Sequence, residues 1–89
     1  MKKKIVLKDY ISWQTYFKTT YIINERTKKI YTLKKEMSVF WKTMCECLDY
    51  DATINKLKDI FMVEEIDELF DSFVENLINL NLIDLVEVV

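Results

Sequence analysis

Between Tyr10 and Leu33 the chain is dense in Tyr, Ile, Thr, Phe and Trp. These residues fit a pleated, half-buried surface, and they predict strands near 11–17, 20–24 and 29–33. The polar run Asn24-Glu25-Arg26-Thr27-Lys28 separates the last two, with Asn24 as a turn starter. It reads as a hairpin turn of four or five residues. The Lys18-Thr19-Thr20 link between the first two strands has no strong turn signal.

After Lys35 the period lengthens to that of a helix. Met37, Phe40, Trp41, Met44, Cys45 and Leu48 recur at i, i+3, i+4 and i+7 over 36–48. Asp49-Tyr50-Asp51 interrupts, and Asp51 or Thr53 is placed to cap a second helix over 52–61, which carries Ile54, Leu57, Ile60 and Phe61. A third helix is predicted over 64–80. Its stripe is Ile66, Leu69, Phe70, Phe73, Val74, Leu77, Ile78 and Leu80, and Glu64, Glu65, Asp67 and Glu68 suit the positive end of its dipole. Asn81 fits a left-handed position after it. The tail from Leu82 to Val89 is apolar and β-branched, and can pair as a short strand. The pattern implies an α+β domain, in which three helices bury one face of a three-stranded antiparallel sheet.

The third helix is wider than it needs to be. At about 100° per residue, Leu69, Phe73, Ile66, Leu77 and Phe70 span roughly 100°, and Val74 and Ile78 add about 80° on one flank. A helix facing one core needs an arc of only about 100°. The extra flank either packs on another part of the domain or forms one wall of a groove.

Composition narrows the class. The 89 residues are 51% apolar and 31% charged. That length suits one domain of about 100 residues with a real core, and argues against disorder. No apolar run reaches about 18 residues, so no transmembrane helix is expected. The start from Met1 to Lys8 has too few apolar residues for a signal peptide. Cys45 and Cys47 are too close for an ordinary disulfide framework, so a cytoplasmic protein is expected.

Histidine, glycine and proline are absent. Without His there is no Ser/His or Cys/His pair and no imidazole ligand. Without Gly there is no phosphate-cradling loop. No pairing of carboxylates or lysines marks a catalytic site, so no enzyme and no cofactor are expected. Cys45-Glu46-Cys47 lacks the further ligands of a zinc site, and Cys45 falls on the first helix's apolar stripe, where it reads as core.

Charge is distributed unevenly. Residues 1–44 hold eleven Lys and Arg against three acids, a balance of +8, while residues 45–89 hold two Lys against twelve acids, a balance of −10. Such asymmetry points either to charged partners or to attraction between halves. The basic half and its aromatics leave open a winged-helix nucleic-acid binder. However, the third helix, which such a protein inserts, is acidic and repels phosphate. The run Glu64-Glu65-Ile66-Asp67-Glu68 reads as a solvated helix start or a surface for a basic partner.

The stretch Tyr21-Ile22-Ile23-Asn24-Glu25-Arg26-Thr27-Lys28-Lys29-Ile30-Tyr31-Thr32-Leu33, followed by Phe40-Trp41, resembles the strand–turn–strand–helix signature of PqqD-like proteins. These are the leader-peptide recognition elements of pathways that modify ribosomally made peptides. The likeness runs on through Asp49, Thr53-Ile54-Asn55-Lys56-Leu57 and Leu77-Ile78-Asn79-Leu80-Asn81-Leu82-Ile83, covering about residues 10–83. Similar proteins often have Gly where Lys28 stands, Asn near Lys34, and Gly near Tyr50 and Asn81. The resemblance implies a winged-helix-like, non-catalytic adaptor with strand order βββααα. It would bind a precursor's leader as an added strand and deliver it to a modifying enzyme or leader protease, with a lean to lasso-peptide pathways. It implies a peptide edge at Lys28, Lys29, Ile30, Tyr31, Thr32 and Leu33, faced by Asp67, Phe70, Asp71, Val74 and Ile78 on the third helix. An unpaired strand edge suits such an addition.

Overall fold

The computed structural model describes residues 2–88, so Met1 and Val89, the last residue of the tail read as a strand, lie outside it. The elements run β1 (Lys2–Leu7), β2 (Ile11–Tyr16), β3 (Thr19–Asn24), β4 (Lys29–Lys34), α1 (Glu36–Cys47), α2 (Tyr50–Phe61), α3 (Ile66–Asn79) and β5 (Ile83–Val88). The fold is α+β, with β2-β3-β4 as a three-stranded antiparallel sheet and three helices after it.

Both hairpins turn without glycine. Tyr16 pairs with Thr19, leaving Phe17 and Lys18 as a two-residue turn in which Phe17 takes φ 57°. Positive φ at the first central residue is a position that glycine usually fills. In the second hairpin the Asn24 carboxamide oxygen accepts the N–H groups of Arg26 at 2.9 Å and Thr27 at 3.2 Å. That is the turn chemistry expected of Asn24. Lys28 closes the turn at φ 62°, where similar proteins carry glycine.

The order βββααα is incomplete, because β1 and β5 form a second, two-stranded antiparallel sheet. The tail was foreseen as a strand, but its partner was not. Only Ile5 and Leu7 of β1 face inward, and three consecutive lysines hide that alternation. The ribbon is held by the Lys8–Asp84 ion pair at 2.7 Å, and Ile5 N–H donates to Leu48 C=O at 3.1 Å, tying it to the α1–α2 link.

The helix ends show what the sequence hid. Leu48 ends the first stripe in a left-handed conformation, 43% exposed, while Ser38 and Thr43 are buried where only apolar residues were expected. The α2 cap is Asp49, whose carboxylate accepts Ala52 N–H at 2.9 Å, not Asp51 or Thr53. Thr53 instead donates its hydroxyl back to Asp49 C=O at 2.6 Å. At the end of α3, Asn81 takes φ 61° as foreseen. Its N–H bonds Ile78 C=O at 2.9 Å, and Leu82 N–H bonds Leu77 C=O at 3.0 Å, the two bonds of a Schellman motif.

One core joins Ile5, Ile22, Trp41, Leu57, Phe70 and Ile83, drawn from both sheets and all three helices. Phe40 stands edge-on to Phe61 and Phe73 at 5.6 Å each, and Trp13 stands edge-on to Trp41 at 6.0 Å. Trp41 is fully buried. Trp41→Ala is therefore expected to cost about 3–5 kcal/mol in denaturant unfolding, as other large core truncations do.

Candidate functional site

β4 lies at one end of the order β2-β3-β4, so its far edge has no strand partner among the described residues. The direction of its backbone groups follows from the ladder. Lys35 N–H donates to Lys18 C=O at 3.1 Å, and Glu25 N–H to Tyr10 C=O at 2.8 Å, each just beyond a paired strand. Hydrogen-bonded and non-bonded pairs alternate along antiparallel strands. Counting inward from Lys18 and Lys35 makes Thr20–Leu33, Ile22–Tyr31 and Asn24–Lys29 the bonded pairs. Counting from Tyr10 and Glu25 sends residues 19, 21 and 23 of β3 toward β2, which is the same answer. Ile30 and Thr32 therefore turn their N–H and C=O groups to the open side. The side chains alternate too. Tyr31 and Leu33 are half-buried against the core, whereas Ile30, 63% exposed, and Thr32 lie on the outer face.

The α3 residues are placed differently from the expected opposing wall. Phe70 and Val74 are buried in the core. Asp67 pairs with Lys58 of α2 at 3.2 Å, and Asp71 accepts the Tyr50 hydroxyl at 2.9 Å. Burial and that hydrogen bond push the Tyr50 phenol above its usual range. Ile78 is half-buried against the same core. This stripe is occupied by α2 and the core, and α3 packs beside α2 and β5 while β4 packs beside α1. The extra flank thus packs within the domain.

The hairpin of β4 and the end of α3 do meet at a cleft of about 560 Å³. Lys29, Tyr31, Asn24 and Arg26 line one side, and Asn79, Leu80 and Asn81 the other. Tyr10 braces it, donating its hydroxyl to Asn81 C=O at 2.8 Å beneath the Arg26 guanidinium, 4.4 Å from the ring centroid. Arg26 and Lys29 have no ion-pair partner among the described residues. Lys28 is at the turn, its Nζ 3.5 Å from Glu25. Sequence reasoning picked Asn24 and Asn81 for their backbone roles. Their convergence on one cleft had no signal in the sequence.

Among the described residues no three His, Cys, Asp or Glu side chains converge as metal ligands. Burial, with Glu46 beside it, pushes the Cys45 thiol up to about 12. At neutral pH it stays protonated and unreactive. No family model, curated protein or solved structure matches the chain.

Two outcomes follow from this geometry. Tyr31→Pro and Leu33→Pro each remove a ladder donor and are expected to cost about 1–3 kcal/mol, whereas Ile30→Pro and Thr32→Pro leave the β3 ladder intact and cost less. Thermal melting of the four variants checks the parity. Native Cys45 is expected to resist alkylation near pH 8 and to react once the protein is unfolded. Its labelling should rise above pH 9 as the thiol begins to ionise, which peptide mass spectrometry reads directly.

Proposed function

We propose that this protein is a stand-alone, winged-helix-like leader-peptide recognition element. It captures the leader of a ribosomally made precursor as a strand on β4 and delivers it to a modifying enzyme or leader protease, with a lean to the lasso-peptide pathway. The observation that supports the reading is the outward turn of the Ile30 and Thr32 backbone groups beside the cleft at the end of α3. An extended peptide completes such an edge through its main chain, and a neighbouring pocket selects its side chains.

The placement of α3 revises how the groove is drawn. The facing wall is its C-terminal end, Asn79, Leu80 and Asn81, rather than the stripe from Asp67 to Ile78. Arg26 and Lys29 then favour an acidic leader residue near the β3–β4 turn. The role is that of a cytoplasmic adaptor and requires neither catalysis nor a cofactor. The acidic outer surface of α3, with Asp67, Glu68, Asp71 and Glu75 exposed, disfavours insertion into nucleic acid.

The test uses the labelled leader of a short precursor encoded beside this chain's gene, titrated by fluorescence anisotropy. Thr32→Pro is expected to melt close to the parent and to lose about tenfold or more in affinity. Leader binding that survives both Ile30→Pro and Thr32→Pro in folded protein overturns strand addition here. Binding of duplex DNA that weakens steeply with salt, without leader binding, supports the nucleic-acid reading instead.

A further inference from the structure

We propose that the cleft between the β2–β3 turn and the start of α1 docks an acidic, apolar-anchored segment of a partner protein. The cleft measures about 590 Å³ and lies at the opposite end of the three-stranded sheet from the β3–β4 turn. Strands of six residues put roughly 17 Å between those ends, so both clefts can be filled at once. The inference stands whether or not β4 accepts a strand.

Charge identifies the occupant. Lys18, Lys35 and Lys42 line the cleft, and none has an ion-pair partner among the described residues. Glu36 is the one acid among the lining residues and leaves the balance positive. The polar floor adds a donor. Thr15, Thr20 and Ser38 form a hydroxyl chain with links of 2.9 and 2.6 Å, and Thr15 and Ser38 also line the cleft. Three hydroxyl protons serve two hydrogen bonds, so one proton is left over. Thr20 is fully buried, so the spare proton belongs at an end of the chain, on Thr15 or Ser38. A carboxylate satisfies that donor and the lysines together.

The apolar rim argues for a protein segment rather than a free anion. Phe17 is 86% exposed and stacks edge-on against Tyr16, itself 63% exposed, while Val39 and Phe61 line the wall. Phe17 holds φ 57° and Lys35 φ 54° with ψ −123°, both unfavourable for residues with a Cβ. Lys35 N–H is fastened to Lys18 C=O, which locks the two strained turns side by side. A large aromatic kept exposed at a position that glycine fits better is a binding anchor retained at a cost in stability.

The experiment selects random dodecapeptides displayed on phage against the immobilised protein, then titrates the enriched peptides in solution. Enriched sequences should combine Asp or Glu with an aromatic or aliphatic residue. Their affinity should fall about tenfold or more in Lys18→Glu/Lys42→Glu and in Phe17→Gly, and stay unchanged in Thr32→Pro. Phe17→Gly guards against misfolding, since it relieves the backbone and should raise the melting temperature while binding falls. No enrichment, enrichment of neutral or basic peptides, or affinity untouched by both variants overturns the proposal. Phe17-dependent binding to phosphatidylcholine vesicles containing a fifth phosphatidylserine, without peptide enrichment, assigns the surface to a membrane and overturns it too.

Discussion

The pairing of β1 with β5 decides what the rest of the molecule can present. It brings the two ends of the chain together beside α3, with Ile5 and Ile83 buried in the common core. A helix whose apolar arc exceeds one face needs a second surface to pack against. Here the ribbon and α2 together supply it. The Tyr50–Asp71 and Lys58–Asp67 contacts then lock that flank against α2. What remains of α3 for a ligand is its C-terminal end. The Schellman bonds that end the helix also aim the chain from Leu82 into β5. One local motif thus sets both the strand that covers the flank and the wall of the cleft.

The strands from Ile11 to Lys34 and the three helices were legible because their periods are clean and their apolar positions carry little charge. β1 was not legible, since an Ile-Val-Leu segment behind Lys2, Lys3 and Lys4 reads as a solvated start until its partner is known. Strand pairing is a non-local property, and only the partner's register reveals it. The α2 cap was misplaced for a different reason. Asp49 and Asp51 are equally good capping types, and the choice between them rests on where α1 stops. That stop is a left-handed leucine, which no propensity scale favours. At the candidate site the β4 edge was legible from strand order. The opposing wall was not, because periodicity shows how wide a stripe is and never which neighbour covers each side.

Lack of glycine shapes the turns more than any residue that is present. Phe17, Lys28, Lys35, Leu48, Met62 and Asn81 all hold positive φ, and only Asn81 is a residue that tolerates it readily. Each such position costs of order 1 kcal/mol relative to glycine and persists only where its surroundings over-determine it. At Leu48 and Met62 the compensation is visible, since each N–H caps its helix through Met44 or Lys58 C=O. Lys28 is held between the Asn24 turn and the first residue of β4. The chain therefore uses tertiary packing where other sequences rely on backbone freedom. Unstrained glycine substitutions at these turns are an available route to higher stability.

Charge asymmetry has to be explained with these contacts in hand. If the basic and acidic halves existed to hold one another, ion pairs would join them. Of the four ion pairs among the described residues, Lys28–Glu25 lies within the basic half, and Lys56–Glu46 and Lys58–Asp67 lie within the acidic half. Only Lys8–Asp84 crosses. Attraction between more distant charges is screened over about 8 Å at physiological salt, so the halves gain little from the separation. The sheet side thus keeps an unneutralised positive field at both of its ends, around Arg26 and Lys29 and around Lys18, Lys35 and Lys42. Such a field contributes little to folding, but it draws acidic segments toward an open strand edge and toward a cleft whose hydroxyl chain has a proton to give.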